Sequence, residues 1–395
     1  MKRRTTLKAG MSGLLLTVLG FPGGLAAEEF KWPRLLVIGT PGTTTGSFAS
    51  TNGWGPILQK ETGTTVRIVP EGSELQRYKR LTDRKDIAIS SVSAAEMRFQ
   101  IEGIGAYAGA RPVPMRILWH HNDTPWGFVV SGDSDIHSME DLKKGARVAD
   151  AVFATGMGTA VEKALPAYLG IDPDEARTVL TYVPVSSYGA NCRSVTEGKT
   201  DIAHASPISS VLSEMEGAPG GIRWVPMPAA DREAWSRYLE YRPMVIPSTI
   251  TFGVKSAVGV EGMTSNYLYG LPADADADFA YNMARWMHMS YDSYKDTHDL
   301  AARMSLEQFR AYLDRSPLPV HEGTIRYLRE IGQWSAADDQ WNQAAIERMD
   351  SWIAARTAAL EEARAKQVKP DAENQDFLDI LSSHTAGLEG FRSRL

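Results

Sequence analysis

Arg34-Leu35-Leu36-Val37-Ile38-Gly39-Thr40, running into Pro41-Gly42-Thr43-Thr44-Thr45-Gly46-Ser47, is the stretch that decides the fold. A short apolar run ending in glycine reads as a buried parallel strand. The loop behind it carries only small and hydroxyl residues. Phe48 to Thr62 then reads as a helix with Trp54, Ile57 and Leu58 on one side and Pro56 near its first turn. The order is strand, small-residue loop, helix.

That order repeats. Thr65-Val66-Arg67-Ile68-Val69 is a strand, and Ser73 is placed to cap a helix reaching Asp83. Asp86 to Ser91 is a strand, followed by Ser93 and a helix to Glu102, and Arg116 to His120 is another strand. Beyond Asn122–Trp126 a second series begins with Gly127 to Ser131. It continues through strands at Ala146–Asp150, Val179–Val185, Ile202–Ala205 and Ile222–Pro226, with helices between them. Ser138 and Asp141 have the spacing of a capping box. Alternating strands and helices predict an α/β protein with open sheets covered by helices. From Ala275 onward the pattern is helical, and Phe279, Met283, Trp286, Met287 and Tyr291 form a core stripe. Residues beyond Pro370 read as a loosely held tail.

Composition narrows the function classes. The 395 residues are 43% hydrophobic and 23% charged, which suits a globular chain of about two domains. With 42 basic and 48 acidic residues the net charge is -6, and there is no basic excess for a nucleic-acid partner. Cys192 is the single cysteine, so no internal disulfide or cysteine-based zinc site is expected. The histidines lack metal-ligand spacing, and His120-His121 are adjacent and face opposite ways in a strand. No nucleophile elbow, phosphate loop or dinucleotide fingerprint stands in the sequence. No catalytic residue, metal or cofactor is therefore assigned.

The chain opens Met1-Lys2-Arg3-Arg4-Thr5-Thr6-Leu7-Lys8, and Leu14 to Leu19 is a short apolar core. Pro22, Gly23, Gly24 and then Ala26-Ala27 complete the plan of a secretory signal over 1–27. The paired arginines suit the twin-arginine route, and a periplasmic location is expected.

Candidate ligand contacts sit where predicted strands end and helices begin, since ligands gather at the carboxyl ends of strands in open sheets and helix starts attract anions. They are Thr40, Thr43, Thr44 and Ser47 in the first loop, Glu71 and Ser73 in the second, and Ser91 in the third. The second series adds Thr155, Gly156, Gly158, Thr159 and Ser206.

The order of these segments resembles the solute-binding subunits of tripartite ATP-independent periplasmic (TRAP) transporters, of the TAXI type. The matching pieces are Val37 to Gly46, Glu71-Gly72-Ser73-Glu74-Leu75-Gln76 and Asp86-Ile87-Ala88-Ile89. They continue with Ser134 to Val148, Thr155-Gly156-Met157-Gly158-Thr159 and His321 to Gly332. Departures are Ser47-Phe48-Ala49 where paired aromatics are common, a missing Asn in the second turn, and a longer segment from Asp338 to Leu395. The resemblance implies a two-lobed periplasmic binding protein of type II-like plan. Lobe 1 would hold 33–121 and 247–334, lobe 2 would hold 126–242, and 335–395 would be a helical extension. The hinge strands would be Asn122–Trp126 and Tyr241–Pro247. It further implies capture of a small organic solute, a carboxylate such as a dicarboxylate or an amino acid. That solute would pass to the integral-membrane permease subunits of a TRAP transporter. The rival readings are a secreted α/β enzyme and a binding protein that feeds a sensor kinase.

Overall fold

The computed structural model describes residues 30–394. The secretory segment expected at 1–27 lies outside the described residues. Strand β1 (Leu35–Thr40) pairs in parallel with β2 (Thr65–Pro70) on one side and β3 (Ile89–Ser93) on the other. Helix α1 (Gly46–Thr62) follows β1, α2 (Glu74–Thr82) follows β2, and α3 (Ala94–Glu102) follows β3. Thr45, Ser73 and Ser93 cap these helices by accepting the N–H groups of Phe48, Gln76 and Glu96. Pro56 lies in the middle of α1 rather than in its first turn, because the helix starts at Gly46 and runs through it.

The segments expected as separate strands at Arg116–His120 and Gly127–Ser131 are one strand, β4 (Met115–Ser131). Its first part packs Leu118 and Trp119 into one hydrophobic core, and its last part packs Phe128, Val129 and Val130 into a second. Between them His120, His121, Asn122 and Thr124 are buried polar residues. The chain therefore crosses from one lobe to the other as a continuous polar strand joining two apolar ends.

The second lobe contains β5 (Ala146–Asp150) paired in parallel with β6 (Leu180–Pro184). It also contains β7 (Ala203–Ala205) and β8 (Ile222–Val225), which flank the end of β4. A short helix, α4 (Thr155–Thr159), follows β5 and continues as a helical run to Tyr168. Ser138 and Asp141 do form a capping box, on a 3-10 turn over Met139–Lys144.

At the expected hinge Tyr241–Pro247 the chain touches both cores, Met244 the first and Val245 the second, before it continues in lobe 2. The chain forms β9 (Val245–Thr249), and Ile250, Val254, Ala257 and Met263 still belong to the second core. The return is made by β10 (Glu261–Pro272), which the sequence did not mark as a strand. It pairs antiparallel with β9, then with β4 along its length and with β3. Leu268, Tyr269 and Leu271 of β10 lie in the first core.

The helical third of the chain covers lobe 1. In the helix Ala277–Met289, Met283, Trp286 and Met287 are buried, and Asp276 caps it by accepting the N–H of Phe279 at 2.7 Å. The tail is not loosely held. Phe377, Ile380 and Leu381 of the helix Gln375–Thr385 pack on Ala359 and Ala363 of the long helix Ala336–Ala365. Phe391 is fully buried in the first core. Arg356 pins the long helix to lobe 1. Its buried guanidinium donates to the carbonyls of Gln100 (2.5 Å), Ile101 (3.2 Å), Tyr107 (2.6 Å) and Ala110 (2.9 Å).

Candidate functional site

A cavity of about 320 Å³ lies between the two lobes. Lobe 1 contributes the loop Pro41–Thr45 and the start of α1, with Gly72, Glu74, Arg77 and Glu96. Lobe 2 contributes Phe153, Ala154 and Met157, the segment Ser186–Gly189, Arg193 and Ser206–Ser209 without Pro207. Thr124 and Trp126 of β4 and Tyr267 of β10 complete the wall. The lobes are closed on one another around it. A Cβ on Gly46 would come within 2.9 Å of Ile208, and one on Gly105 within 2.7 Å of Thr155.

The wall mixes an apolar part (Trp126, Phe153, Met157, Ile208) with hydroxyl groups, as small-molecule sites do. Four of its residues carry buried polar atoms with no protein partner: Glu74 Oε2, Arg77 Nε, Trp126 Nε1 and Ser206 Oγ. A buried polar group left unpaired costs on the order of 1–3 kcal/mol. A ligand that pairs with these atoms recovers that energy. The Trp126 ring stacks on His204, with ring centres 4.8 Å apart. His204 is buried, and burial holds its pKa well below the ordinary histidine range.

The floor of the cavity is charged. Arg77 and Glu96 form a buried ion pair, with Nη2 and Oε2 2.5 Å apart. Glu96 also accepts from Gln100 at 3.1 Å and from the Tyr107 hydroxyl at 3.2 Å. Glu74 stands beside this pair at the start of α2. Burial, and then the Glu96 charge, push its carboxyl up to about 8, while Arg77, the Gly156 N–H and Arg242 pull it down less.

The residues expected as ligand contacts divide into two groups. Thr43, Thr44, Ser47 and Ser206 line the cavity. Thr40, Glu71, Ser73, Ser91, Thr155, Gly156, Gly158 and Thr159 are not among the residues lining it. Thr40 is buried at the end of β1 and donates to the Pro41 carbonyl. The Glu71 carbonyl accepts from Arg77 at 3.1 Å. Ser73 is the cap of α2. The Thr159 hydroxyl donates back to the Thr155 carbonyl at 2.8 Å, the Gly158 N–H bonds Ala154, and the Gly156 carbonyl accepts from Arg242.

Ser91 belongs to a buried chain of hydrogen bonds. Thr51 donates to the Ser47 carbonyl at 2.8 Å, so Tyr269 must donate to Thr51 (2.8 Å) and accept from Trp54 (2.8 Å). His121 Nε2 then donates to Tyr269 (3.1 Å), which leaves Nδ1 to accept from Ser91 at 3.0 Å. Burial keeps His121 neutral, as this chain requires. Ser91 is fully buried, so this Ser–His pair orders the core beneath α1 and is not an exposed nucleophile. Cys192 is also buried, and burial pushes its thiol up to about 12.

Sequence reasoning missed Glu74, Arg77, Trp126, Tyr188 and Tyr267. Ser186-Ser187 were legible by the rule used elsewhere, since they follow a predicted strand and open a helix. Tyr267 was not, because it stands on the unassigned β10.

The NMT1-like family model matches residues 38–332. No curated protein matches the chain in sequence. Among solved structures, the chain is similar to the periplasmic aliphatic sulphonate binding protein SsuA from Escherichia coli, at 12% identity and a TM-score of 0.40. That match covers 86% of this chain and 90% of the other. It is similar to PhnD1 from Prochlorococcus marinus, solved in complex with methylphosphonate, at 12% identity and a TM-score of 0.44, covering 76% and 99%. A histidine kinase sensor domain with similarity to periplasmic binding proteins matches at 12% identity and a TM-score of 0.42, covering 69% and 96%.

Proposed function

We propose that this chain, which belongs to the NMT1-like family, is an extracytoplasmic solute-binding protein that closes its two lobes around a small organic solute. The observation that carries the reading is the cavity between the lobes, walled from both sides and bordered by four buried polar atoms without protein partners. A site that neither lobe completes alone rewards closure, because the ligand gains the second set of contacts only in the closed state. The solute is a carboxylate such as a dicarboxylate or an amino acid, a reading supported by the hydroxyl-rich loop at the start of α1. The TAXI-like order of segments supports delivery to the permease subunits of a TRAP transporter. The basic, then apolar, first segment supports export.

A thermal-shift screen of carboxylates, amino acids and aromatic acids, followed by calorimetry on each hit, tests capture. Small-angle scattering with a confirmed ligand should give a smaller radius of gyration than without it. No binder across the screen, or an unchanged radius at saturation, counts against closure around a solute. Export is tested by changing Arg3 and Arg4 to Lys, which should block the twin-arginine route.

A further inference from the structure

Glu74 is the first residue of α2 and lines the cavity. It is a half-buried residue whose Oε2 is shielded from solvent and has no partner. The cations near it are committed elsewhere. Arg77, on the same helix, gives its Nη2 to Glu96 of α3 and its Nη1 to the Glu71 carbonyl. Arg242, from the second lobe, donates to the Gly156 carbonyl. Tyr267 faces the group from β10, and the Gly156 N–H faces it from α4. Among the described residues Glu74 has no ion pair of its own.

Two carboxylates thus stand over one engaged guanidinium in a closed space. Keeping both charged costs more than protonating the one without a partner. The other unpartnered atoms of the wall are Arg77 Nε and Trp126 Nε1, which only donate, and Ser206 Oγ, which can donate. Once Glu74 carries a proton, every unpartnered buried atom of the wall can act as a donor. A ligand oxygen bearing negative charge fits that set, whereas an ammonium group finds few acceptors.

We propose that Glu74 enters the closed cleft as an uncharged carboxylic acid that donates its proton to an oxygen of the ligand, so that the cleft selects anions and takes up one proton from water as it captures them. This rests on the solute-capture reading above and narrows it to anions without an ammonium group. The direction follows from burial. With the lobes apart, Glu74 returns to water at the head of α2, where the helix start favours its charged form. Burial, the larger cause that holds its carboxyl up, is complete only in the closed state, whereas the Glu96 charge in the same lobe acts in both. Between its ordinary value of 4.5 and about 8, closing the lobes therefore binds a proton, and closure weakens as pH rises through that window. Above the window the acid is charged in both states and this assistance is gone. Below it the acid is neutral in both states and no further gain accrues.

The test is titration calorimetry at pH 6.5 with succinate, benzoate, L-leucine and ethanolamine, each in buffers of different protonation heat. The acids should bind in preference to the two amines, with uptake of about one proton per ligand. Their affinity should fall up to about tenfold per pH unit from pH 6 to 8. Glu74→Gln, which keeps the shape of the neutral acid, should lose both the proton uptake and the pH slope. Equal proton counts in wild type and Glu74→Gln, or preferred binding of L-leucine or ethanolamine, overturns the inference and leaves capture standing. No binding by any of the four, with no binder in the wider screen, overturns capture itself.

Discussion

The guanidinium of Arg303 lies 5.2 Å from the ring centre of Phe252, so a cation of lobe 1 rests on an aromatic ring of the lobe 2 segment that follows β9. Asp123 of the crossing strand holds the same guanidinium through two hydrogen bonds, one of them 2.6 Å long. The cation is aimed at the ring by the strand that passes from one core to the other.

Loss of this contact should loosen closure without unfolding either lobe. A cation–π contact contributes about 0.5–2 kcal/mol. Phe252→Ala should therefore weaken ligand affinity by between twofold and thirtyfold. Thermal unfolding should stay nearly unchanged, because Phe252 is only partly buried. Unchanged affinity would mean that the ring merely shields Arg303.

Cavity residues and cap residues should separate in mutagenesis. Ser206→Ala removes a buried hydroxyl that has no protein partner. It should weaken binding by about 0.5–1.5 kcal/mol at unchanged stability. Ser73→Ala removes the cap of α2, where Ser73 accepts from the Gln76 N–H at 3.3 Å. It should lower stability by about 1 kcal/mol. Parallel calorimetry and urea unfolding distinguish the two outcomes, and a Ser73 variant that loses affinity at full stability would place Ser73 in the site.

Arg356→Ala should be among the most damaging single changes outside the cleft. It leaves four carbonyls without the charged donor they share. Buried charged hydrogen-bond networks of this kind cost about 3 kcal/mol or more when broken. Urea unfolding should show that loss. A fall of under about 1 kcal/mol would mean that the long helix is held by its apolar contacts alone.

Acid should destabilise the fold through its buried histidines. His120, His121 and His204 are all held below the ordinary value of 6.5 by burial. A base whose pKa is lowered on folding contributes stability that is complete above the unfolded value and lost as pH falls below it. Stability should therefore drop from pH 6.5 downward, with a slope of at most about 1.4 kcal/mol per pH unit for each group. His204→Phe keeps a ring against Trp126 and should reduce that slope. Denaturant unfolding at pH 7.5, 6.5 and 5.5 in both proteins measures it, and equal slopes would remove His204 from the account.

Lobe 1's opening strands and helices were legible because β1 is an apolar run, β2 is rich in β-branched residues, and each helix starts at a serine or threonine cap; the third strand, Ile-Ser-Ser-Val-Ser, starts three residues later than expected. β10 was not. Glu261–Pro272 mixes Thr, Ser and Asn with Tyr and Leu, since its middle crosses between lobes where polar side chains are buried against those of β4. The same crossing hid the continuity of β4, whose His-His-Asn-Asp-Thr-Pro centre resembles a loop. In the site, the rule that ligands meet strand ends found Thr43, Thr44, Ser47 and Ser206. It also gathered Ser73 and Ser91, whose hydroxyls are used by a helix cap and a buried histidine. Sequence shows which loops contain hydroxyls, not which hydroxyls already have partners. Glu74 and Arg77 went unread because charged residues in a first helical turn ordinarily face solvent.

The lobes are joined by β4 and β10, which stay hydrogen-bonded to each other from Met263 opposite Trp126 to Pro272 opposite Met115. Their register slips twice, once between Tyr267 and Leu268 and once between Tyr269 and Gly270, beside His121 and Leu118. Both slips fall where β10 also pairs with β3, inside the lobe 1 sheet, whereas Glu261–Ser265 pair with β9 on the lobe 2 side, so Asn266 lies between the two pairings with Asp123 opposite it. Opening of the lobes is expected to centre on that pair, where the two crossing strands have no third strand beside them. Every loaded molecule would then present the same rim geometry. Full and empty molecules would differ in the spacing of that rim, whichever solute lies inside.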